Sequence, residues 1–313
     1  MRIGLDIGGT KTDVVAVDDS GAIVLEARYP SAFGADAVLA TATMAVFDTL
    51  DRLGETRSTV TGVGVGIPGL VNHTSGRVEH AVNLGIQALD LAGALRDRVS
   101  LDVSVDNDVN VAAVGMFRVI AGQLGRRAPG SLAYLNLGTG LAAGVVFEGR
   151  PWRGFRGTAG EIGHLPARLS SATCPCGQTG CLEATASGSG LDRVWPSADG
   201  RPAVALLTAA AAGDPRAVEV EAEWFDQILA ANKVLVLTLD VEVIAVGGGM
   251  SRIGQLLLDG IGRAIERSAN ESAFIAHLDI AERIELAPDD LPVAALGAAL
   301  IVPEIEGVRA WQK

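Results

Sequence analysis

The sequence is short of cysteine and of positive charge, and its few large aromatic residues are scattered. Only three of its 313 residues are cysteine, an odd number, so a disulfide framework is excluded. The chain carries 25 Lys and Arg against 37 Asp and Glu, and this net charge of −12 repels phosphate backbones and anionic membrane surfaces. The four tryptophans lie far apart in sequence, which favours packing over a sugar-stacking platform. Neither nucleic acid nor a membrane is therefore an expected partner.

Long hydrophobic runs are missing as well. No stretch reaches the roughly 18 uninterrupted apolar residues of a membrane-spanning helix. An acid at residue 6 interrupts the N-terminal apolar segment too early for a secretory signal, so we expect a cytoplasmic protein. What the chain has is a hydrophobic fraction of 49% and 39 glycines. This composition excludes disorder, and the length predicts two domains at roughly 150 residues each.

An internal repeat organises the chain. Residues 3–17 contain a glycine-rich bend and are followed by a turn and a second apolar run at 22–25, a pattern that predicts a β-hairpin. The pattern returns at 132–147, where Asn136 stands 130 residues after Asp6 (136 − 6). Such self-similarity implies two related lobes, each opening with a hairpin whose glycine-rich bend can approach a ligand.

Hydrophobic periodicity predicts the remaining elements. Helices are expected at residues 36–53, 108–124, 183–194, 203–212, 215–239, 253–267 and 293–301. Strands are expected at residues 61–67 and 241–246. The alternation predicts an α/β protein with mixed sheets, in two lobes with a cleft between them. The small lobe is expected to span residues 1–112 plus a C-terminal helix at about 293–313, and the large lobe residues 113–292.

The first glycine-rich motif brings an acid together with phosphate-binding groups. Its members are Asp6, Gly8, Gly9, Thr10 and Lys11. Backbone N–H groups of a glycine bend cradle phosphate oxygens, an ammonium adds positive charge, and a strand carboxylate can hold Mg²⁺ through water. The alternative is an ordinary glycine hairpin with Thr and Lys at its surface. The second lobe carries an equivalent bend, formed by Gly138, Thr139 and Gly140.

Polar residues cluster where a predicted strand passes into a predicted helix. Asn107, Asp108 and Asn110 stand in this segment. An acid in the first turn of a helix is stabilised as an anion and can accept a proton from a hydroxyl group. The alternative is that Asp106 or Asp108 merely caps the helix. The cluster holds more polar groups than a cap needs, which indicates recognition of a polyol.

All three cysteines lie within eight residues of one another. Cys174, Cys176 and Cys181, together with His164, form a Cys₃His set that suits a closed, structural, tetrahedral zinc site. The alternative is a group of free buried cysteines beside an unrelated histidine. Two acids flank this segment, Glu161 and Glu183. They are either part of the same site or solvated surface residues.

These motifs, taken in order, resemble the ROK family of sugar kinases and related repressors, within the actin-like ATPase superfamily. The resemblance runs from Ile3 to about Leu300. It is carried by residues 6–11, 64–69, 107–108, 137–140 and 161–164, the cysteine cluster, Gly247, Gly248 and Gly249. It implies a two-lobed α/β fold of the actin-like ATPase (ribonuclease H-like) type.

The resemblance also implies residue roles. Asp108 is expected to be the general base that takes the proton from a sugar hydroxyl, usually the 6-hydroxyl, as it attacks the γ-phosphate of ATP. The residues expected to hold the other hydroxyls are Asn83, Asn107, Glu161, His164 and Glu183. The phosphates are expected at Gly8, Gly9, Thr10, Lys11, Gly138, Thr139 and Gly140, and the adenosine beside Gly247, Gly248 and Gly249. One nitrogen of His164 would bind zinc while the other faces the sugar.

The sequence thus predicts a hexose kinase that uses ATP with Mg²⁺ and carries a structural Zn²⁺. Glucose is the leading substrate, but many family glucokinases follow the equivalent of Asn83 with Pro and Trp, where this chain has Leu84 and Gly85. Mannose, fructose, allose and N-acetylated hexosamines therefore stay open, as do polyphosphate as donor and a homodimer or homotetramer as assembly. The alternatives are a non-catalytic sugar sensor and an acetate-type carboxylate kinase. The first motif begins at residue 4, which disfavours a repressor with an added N-terminal DNA-binding region.

Overall fold

The chain divides into two units by its internal contacts. The computed structural model describes residues 1–54, 60–167 and 171–303. The first unit comprises Met1–Ala128, Gly149–Ala159 and the chain from Asp290 onward, and the second comprises Pro129–Glu148 and Gly160–Asp289. The expected lobe boundary after residue 112 falls inside a helix of the first unit. Residues 304–313 of the expected C-terminal segment lie outside the described residues.

Strands and helices alternate along both units. The strands are β1 (Arg2–Ile7), β2 (Lys11–Val17), β3 (Ile23–Pro30), β4 (Val63–Ile67), β5 (Leu70–Asn72), β6 (Arg77–Ala81), β7 (Ile86–Asp90), β8 (Val103–Asn107), β9 (Ser131–Leu137), β10 (Leu141–Phe147), β11 (Arg150–Pro151), β12 (Val243–Gly247) and β13 (Ile284–Leu286). The α-helices are α1 (Ala35–Leu53), α2 (Leu91–Val99), α3 (Asp108–Ala121), α4 (Glu183–Ala186), α5 (Gly188–Val194), α6 (Pro202–Ala211), α7 (Pro215–Leu239), α8 (Gln255–Glu271), α9 (Ala273–Ala276) and α10 (Val293–Leu300). Short 3-10 helices lie at Val82–Leu84, Ile162–His164, Gly249–Ile253 and Ile280–Arg283.

The main sheet of each unit is mixed and starts from a hairpin. In the first unit the strand order is β3–β2–β1–β4–β8, with β1 antiparallel to β2 and parallel to β4. In the second unit β10, β9, β12 and β13 follow one another, with β9 antiparallel to β10 and parallel to β12. Asp6 of β1 pairs with Gly66 of β4, and Asn136 of β9 pairs in the same way with Gly247 of β12. The internal repeat expected from the sequence is therefore present in the strand pairing.

Helix α10 lies against the first sheet at backbone distance. A Cβ atom on Gly4 of β1 would stand 2.1 Å from the carbonyl oxygen of Ala295, and one on Gly64 of β4 would stand 1.7 Å from that of Ala298. Gly297 makes an equally close approach to Val111 of α3. Because these positions are glycine, α10 can pack closely against both the sheet and α3. This packing holds the first turns of α3 in place.

We expect Gly64→Ala to destabilise the protein strongly. The added methyl group would overlap backbone, which cannot rotate away, so the free energy of unfolding should fall by about 3 kcal/mol or more. Urea unfolding followed by circular dichroism measures this. Gly262→Ala in α8 is the matched control, because among the described residues outside its own helix turn no atom lies within 4 Å of the added methyl group. That variant should be neutral or more stable, since Ala favours a helix over Gly by about 1 kcal/mol; equal unfolding curves for the two variants would contradict the packing argument.

Most predicted helices are present to within a few residues, and two predictions are wrong in detail. The expected helix at 183–194 is two helices, because Ser187 is extended (φ −73°, ψ 167°) and caps α5 through its side chain. The segment 3–17 is two strands that bend at Gly8–Thr10, so the first unit opens with three antiparallel strands rather than one hairpin. The sheet β5–β6–β7 was not predicted. Among the described helices, none combines the length and the hydrophobicity that a membrane span requires.

Candidate active site

The first glycine-rich bend joins β1 to β2. Its closing hydrogen bond runs from the N–H of Gly8 to the carbonyl oxygen of Lys11, at 2.9 Å. A Cβ atom on Gly9 would stand 3.6 Å from Cβ of Asn83, so the bend lies directly beside Asn83. The ammonium of Lys11 contacts the carboxylate of Asp13 at 2.6 Å. The bend thus brings backbone N–H groups, one cation and the Asn83 side chain together.

Asp6, at the end of β1, has a strongly altered acidity. Burial raises its pKa to about 8, the negative charges of Asp108 and Asp13 raise it too, and Lys11 lowers it. The two carboxylates Asp6 and Asp108 are therefore close enough to repel one another. A divalent cation relieves this kind of repulsion, so this donor set fits Mg²⁺ held through Asp6.

We expect the raised pKa of Asp6 to make the protein less stable as pH rises. Between about pH 4 and pH 8 the folded chain holds a proton on Asp6 that the unfolded chain has released, so stability falls across this window. Asp6→Asn should remove that loss, becoming more stable than the parent at pH 8.5 but not at pH 4, in urea titrations without Mg²⁺. Asp97→Asn, an exposed acid of α2, is the control. A parent curve with the same pH dependence as Asp6→Asn would contradict the expectation.

Asp108 is the first residue of α3 and follows β8 directly. Asn107 is the N-cap: its side-chain oxygen accepts from the N–H groups of Val109 and Asn110, at 2.9 and 3.3 Å. Its amide nitrogen donates to the carbonyl oxygen of Gly69, at 3.3 Å. Asn107 therefore performs the capping function that could explain Asp108, although Asp108 also accepts from the N–H of Val109, at 3.0 Å.

The Cys₃His set converges in the second unit. The ligand atoms of His164, Cys174, Cys176 and Cys181 all lie within 4.8 Å of one another. The sulfurs of Cys176 and Cys181 are 3.7 Å apart, and Nδ1 of His164 is 3.8 Å from the sulfur of Cys174. A tetrahedral ion with Zn–S bonds of about 2.3 Å separates its sulfurs by about 3.8 Å. The cluster can therefore hold a metal ion, and its donors and spacing fit zinc.

The three thiols differ in acidity. Hydrogen bonds from Gln178 lower the pKa of Cys176 to about 6, whereas burial raises the pKa of Cys181 to about 12 and also raises that of Cys174. Ligation requires all three as thiolates, so metal binding would release protons here.

The two acids that flank the cysteines lie at this cluster. Oε2 of Glu161 is 3.9 Å from Nε2 of His164, whereas the other ring nitrogen, Nδ1, contacts Cys174. Burial raises the pKa of Glu161, the His164 charge lowers it, and the Glu183 charge raises it. Glu183 accepts from the N–H of Leu141 at 3.0 Å, and Cys174 lies 3.9 Å from its other oxygen. Two carboxylates and one imidazole thus form a polar group supported by the cysteines.

The second glycine-rich bend touches this polar group. A Cβ atom on Gly140 would stand 2.6 Å from Oε2 of Glu183, so a larger residue here would displace that carboxylate. The carbonyl oxygen of Gly138 accepts from the N–H of Gly188, and that of Thr139 accepts from the hydroxyl of Ser189 at 2.7 Å. The bend is therefore held by the start of α5.

The third glycine patch follows β12. Gly248 has φ +87°, and a Cβ atom there would stand 2.5 Å from the side-chain oxygen of Asn136. Apart from its chain neighbours, no atom of the described residues lies within 4 Å of a Cβ atom on Gly249. Gly247 pairs with Asn136 of β9, so this patch adjoins the strand that leads into the second bend.

The expected site residues are thus divided between the units. The first unit holds Asp6, Gly8, Gly9, Thr10, Lys11, Asn83, Asn107 and Asp108. The second holds Gly138, Thr139, Gly140, Glu161, His164, Cys174, Cys176, Cys181, Glu183, Gly247, Gly248 and Gly249. Sequence reasoning missed Ser189, which holds Thr139, and Arg153, which forms an ion pair with Asp106. Neither belongs to a recognisable motif.

Comparison with known proteins identifies this arrangement. Residues 2–305 match the ROK family. The glucokinase of Halalkalibacterium halodurans is 32% identical over 288 residues, covering 85% of this chain and 86% of that protein. The ROK family glucokinase of Streptomyces griseus, solved with glucose and AMPPNP, superposes with a TM-score of 0.76 at 30% identity, covering 96% of this chain and 98% of that one. The xylose repressor of Caldicellulosiruptor bescii is 27% identical and covers 88% of this chain and 71% of that protein.

The chain has an α/β fold with mixed sheets and glycine-rich hairpin bends. This is the fold of the actin-like ATPases, so the fold class predicted from the sequence is confirmed. The chain belongs to the ROK family. The cleft and the lobe boundaries stay predictions.

Proposed function

We propose that this protein transfers the γ-phosphate of ATP to a hydroxyl group of a hexose, with glucose as the leading substrate and the 6-hydroxyl as the acceptor. The observation that carries the proposal is Asp108. Its carboxylate stands at the first position of α3, beside Asp6, while Asn107 performs the capping. The 32% identity to a glucokinase supports the same reading.

In the first unit, Asp108 would accept the proton of the sugar hydroxyl group. The oxygen of that hydroxyl group bonds to the γ-phosphorus of ATP, while the bond between the γ-phosphorus and the β-phosphate oxygen breaks and ADP is released. The helix dipole favours the anionic, proton-accepting form of this side chain. The bend that the Gly8 N–H closes would hold phosphate oxygens through the N–H groups of Gly9 and Thr10 and the ammonium of Lys11. Asn83, next to Gly9, would bind a sugar hydroxyl close to the transferred phosphate. Mg²⁺ held through Asp6 would neutralise charge on the phosphates.

In the second unit, Glu161, His164 and Glu183 would hold the remaining sugar hydroxyls. Two carboxylates accept hydrogen bonds from neighbouring hydroxyl groups, and Nε2 of His164 adds a third polar contact beside Glu161. A zinc ion bound through Nδ1 would fix the tautomer and the angle of the imidazole. Thr139 and the glycines of the second bend would contact phosphates, and the open backbone at Gly249 leaves room for the purine.

A sugar panel tests the proposal. The purified protein is assayed for ADP release with ATP, Mg²⁺ and, in separate reactions, glucose, mannose, fructose, allose, N-acetylglucosamine and N-acetylmannosamine, and then with polyphosphate as donor. We expect sugar-dependent turnover, fastest with glucose. No turnover with any sugar and either donor would overturn the proposal.

A second candidate function is a sugar sensor that binds its ligand without turnover. The similarity to a xylose repressor favours it. Sugar binding measured by calorimetry, together with the absence of turnover, would support this candidate. Turnover would reject it, because a sensor of this kind binds its ligand without a reaction.

A further inference from the structure

An ion pair with a buried carboxylate lies just before Asp108 in the chain. Asp106 is the next-to-last residue of β8 and is only 2% exposed. Nε of Arg153 contacts its Oδ2 at 2.6 Å. Its other oxygen accepts from the N–H of Asn107 at 2.8 Å and from the side-chain amide of Asn110 at 3.1 Å. A buried carboxylate is costly unless it is paired and hydrogen-bonded, and here both oxygens are satisfied.

These contacts hold both sides of Asp108. Asn107 precedes it and caps α3, and Asn110 lies two residues after it on the first turn. Both are bonded to Asp106, and Asn110 is itself only 4% exposed. The position of Asp108 along and around the helix axis therefore depends on Asp106, whose charge is balanced by Arg153.

Arg153 is itself held in place by the segment that carries it. Its carbonyl oxygen accepts from the N–H of Ala159 at 3.2 Å, which closes a loop. Gly157, with φ +80°, lies against the backbone of Val71. The segment Gly149–Ala159 belongs to the first unit, although second-unit segments precede and follow it in the chain.

We infer that Arg153 is a positioning residue for the general base. Through Asp106 it fixes the turn that presents Asp108, without touching the substrate. This inference rests on the proposed kinase function and extends it to a residue outside every motif. A small displacement of a reacting group lowers the rate of a step that depends on alignment, while the binding of substrate is largely kept.

The test is Arg153→Met, which keeps the length of the side chain and removes its charge and donors. We expect kcat to fall by about tenfold or more, with the KM values for sugar and ATP changed by less than about twofold. Arg153→Lys keeps a cation but not the planar fork, so it should restore part of kcat. In an Asp106→Asn background, Arg153→Met should cost much less than it does alone, because the two residues act as one unit.

Arg77→Met is the matched control. Arg77 contacts Glu79 through Nε at 2.8 Å in the same unit, but at the surface. Its kcat should equal that of the parent. All assays are run at least 15 °C below the midpoint of thermal unfolding of each variant, so that only folded protein is compared.

Three results would overturn the inference. Arg153→Met with parental kcat and a lowered unfolding temperature would mean that the ion pair serves stability alone, while the kinase function stands. Equal losses of kcat in Arg153→Met and Arg77→Met would mean a general effect of charge removal. If the unmutated protein shows no turnover, the proposed function is itself refuted, and the inference is refuted with it.

Discussion

Asp108→Asn should lower kcat by about 10²- to 10⁴-fold, the range typical for loss of a general base. The amide has the shape of the carboxylate and can still accept from the N–H of Val109, so α3 should start as before. It cannot take up a proton from a hydroxyl group. The sugar should therefore still bind, with an affinity within a few-fold of the parent, and steady-state kinetics with calorimetry measures both quantities.

Asp36→Asn is the matched control for this variant. Asp36 is an exposed acid at the second position of α1, so it lies in the first turn of its helix, as Asp108 does in α3. Loss of a carboxylate from a helix start costs some stability through the helix dipole and should leave kcat unchanged. If Asp108→Asn retained parental kcat, Asp108 would have no part in proton transfer.

Removal of the metal should weaken sugar binding by about 10- to 100-fold, a loss typical when the support of a binding residue is removed. The preparation is expected to hold one zinc ion per chain by elemental analysis, and either chelation or Cys176→Ser should remove it. Without the ion, His164 loses the partner of Nδ1, so Nε2 is no longer fixed beside Glu161. ATP binding should change much less, and added zinc should restore the chelated protein.

Thr179→Ala is the control for the cysteine variant. It lies exposed in the same loop, between Cys176 and Cys181, and its side chain is not among the possible ligands. It should keep both zinc and sugar affinity. Unchanged sugar affinity after confirmed loss of zinc would refute a supporting role for the ion.

The sequence determined the local parts of this protein because their signals are local. Glycine-rich bends after alternating strands, an acid at the start of an apolar helix, and a Cys and His set with Pro and Gly turns each have a short sequence pattern. The helix at Pro215–Leu239 was predicted with the right ends because Pro starts it and its apolar residues repeat every 3.6 positions.

Only the tertiary structure decided which partner each polar group takes. Asn107 rather than Asp106 or Asp108 caps α3, and the buried carboxylate of Asp106 instead forms an ion pair with an arginine 47 residues away. Asp and Asn are both common N-cap residues, so the sequence alone does not show which of the three caps the helix. A buried carboxylate requires a counter-charge, but the chain has many arginines, and contact between residues distant in sequence depends on how the elements pack rather than on spacing.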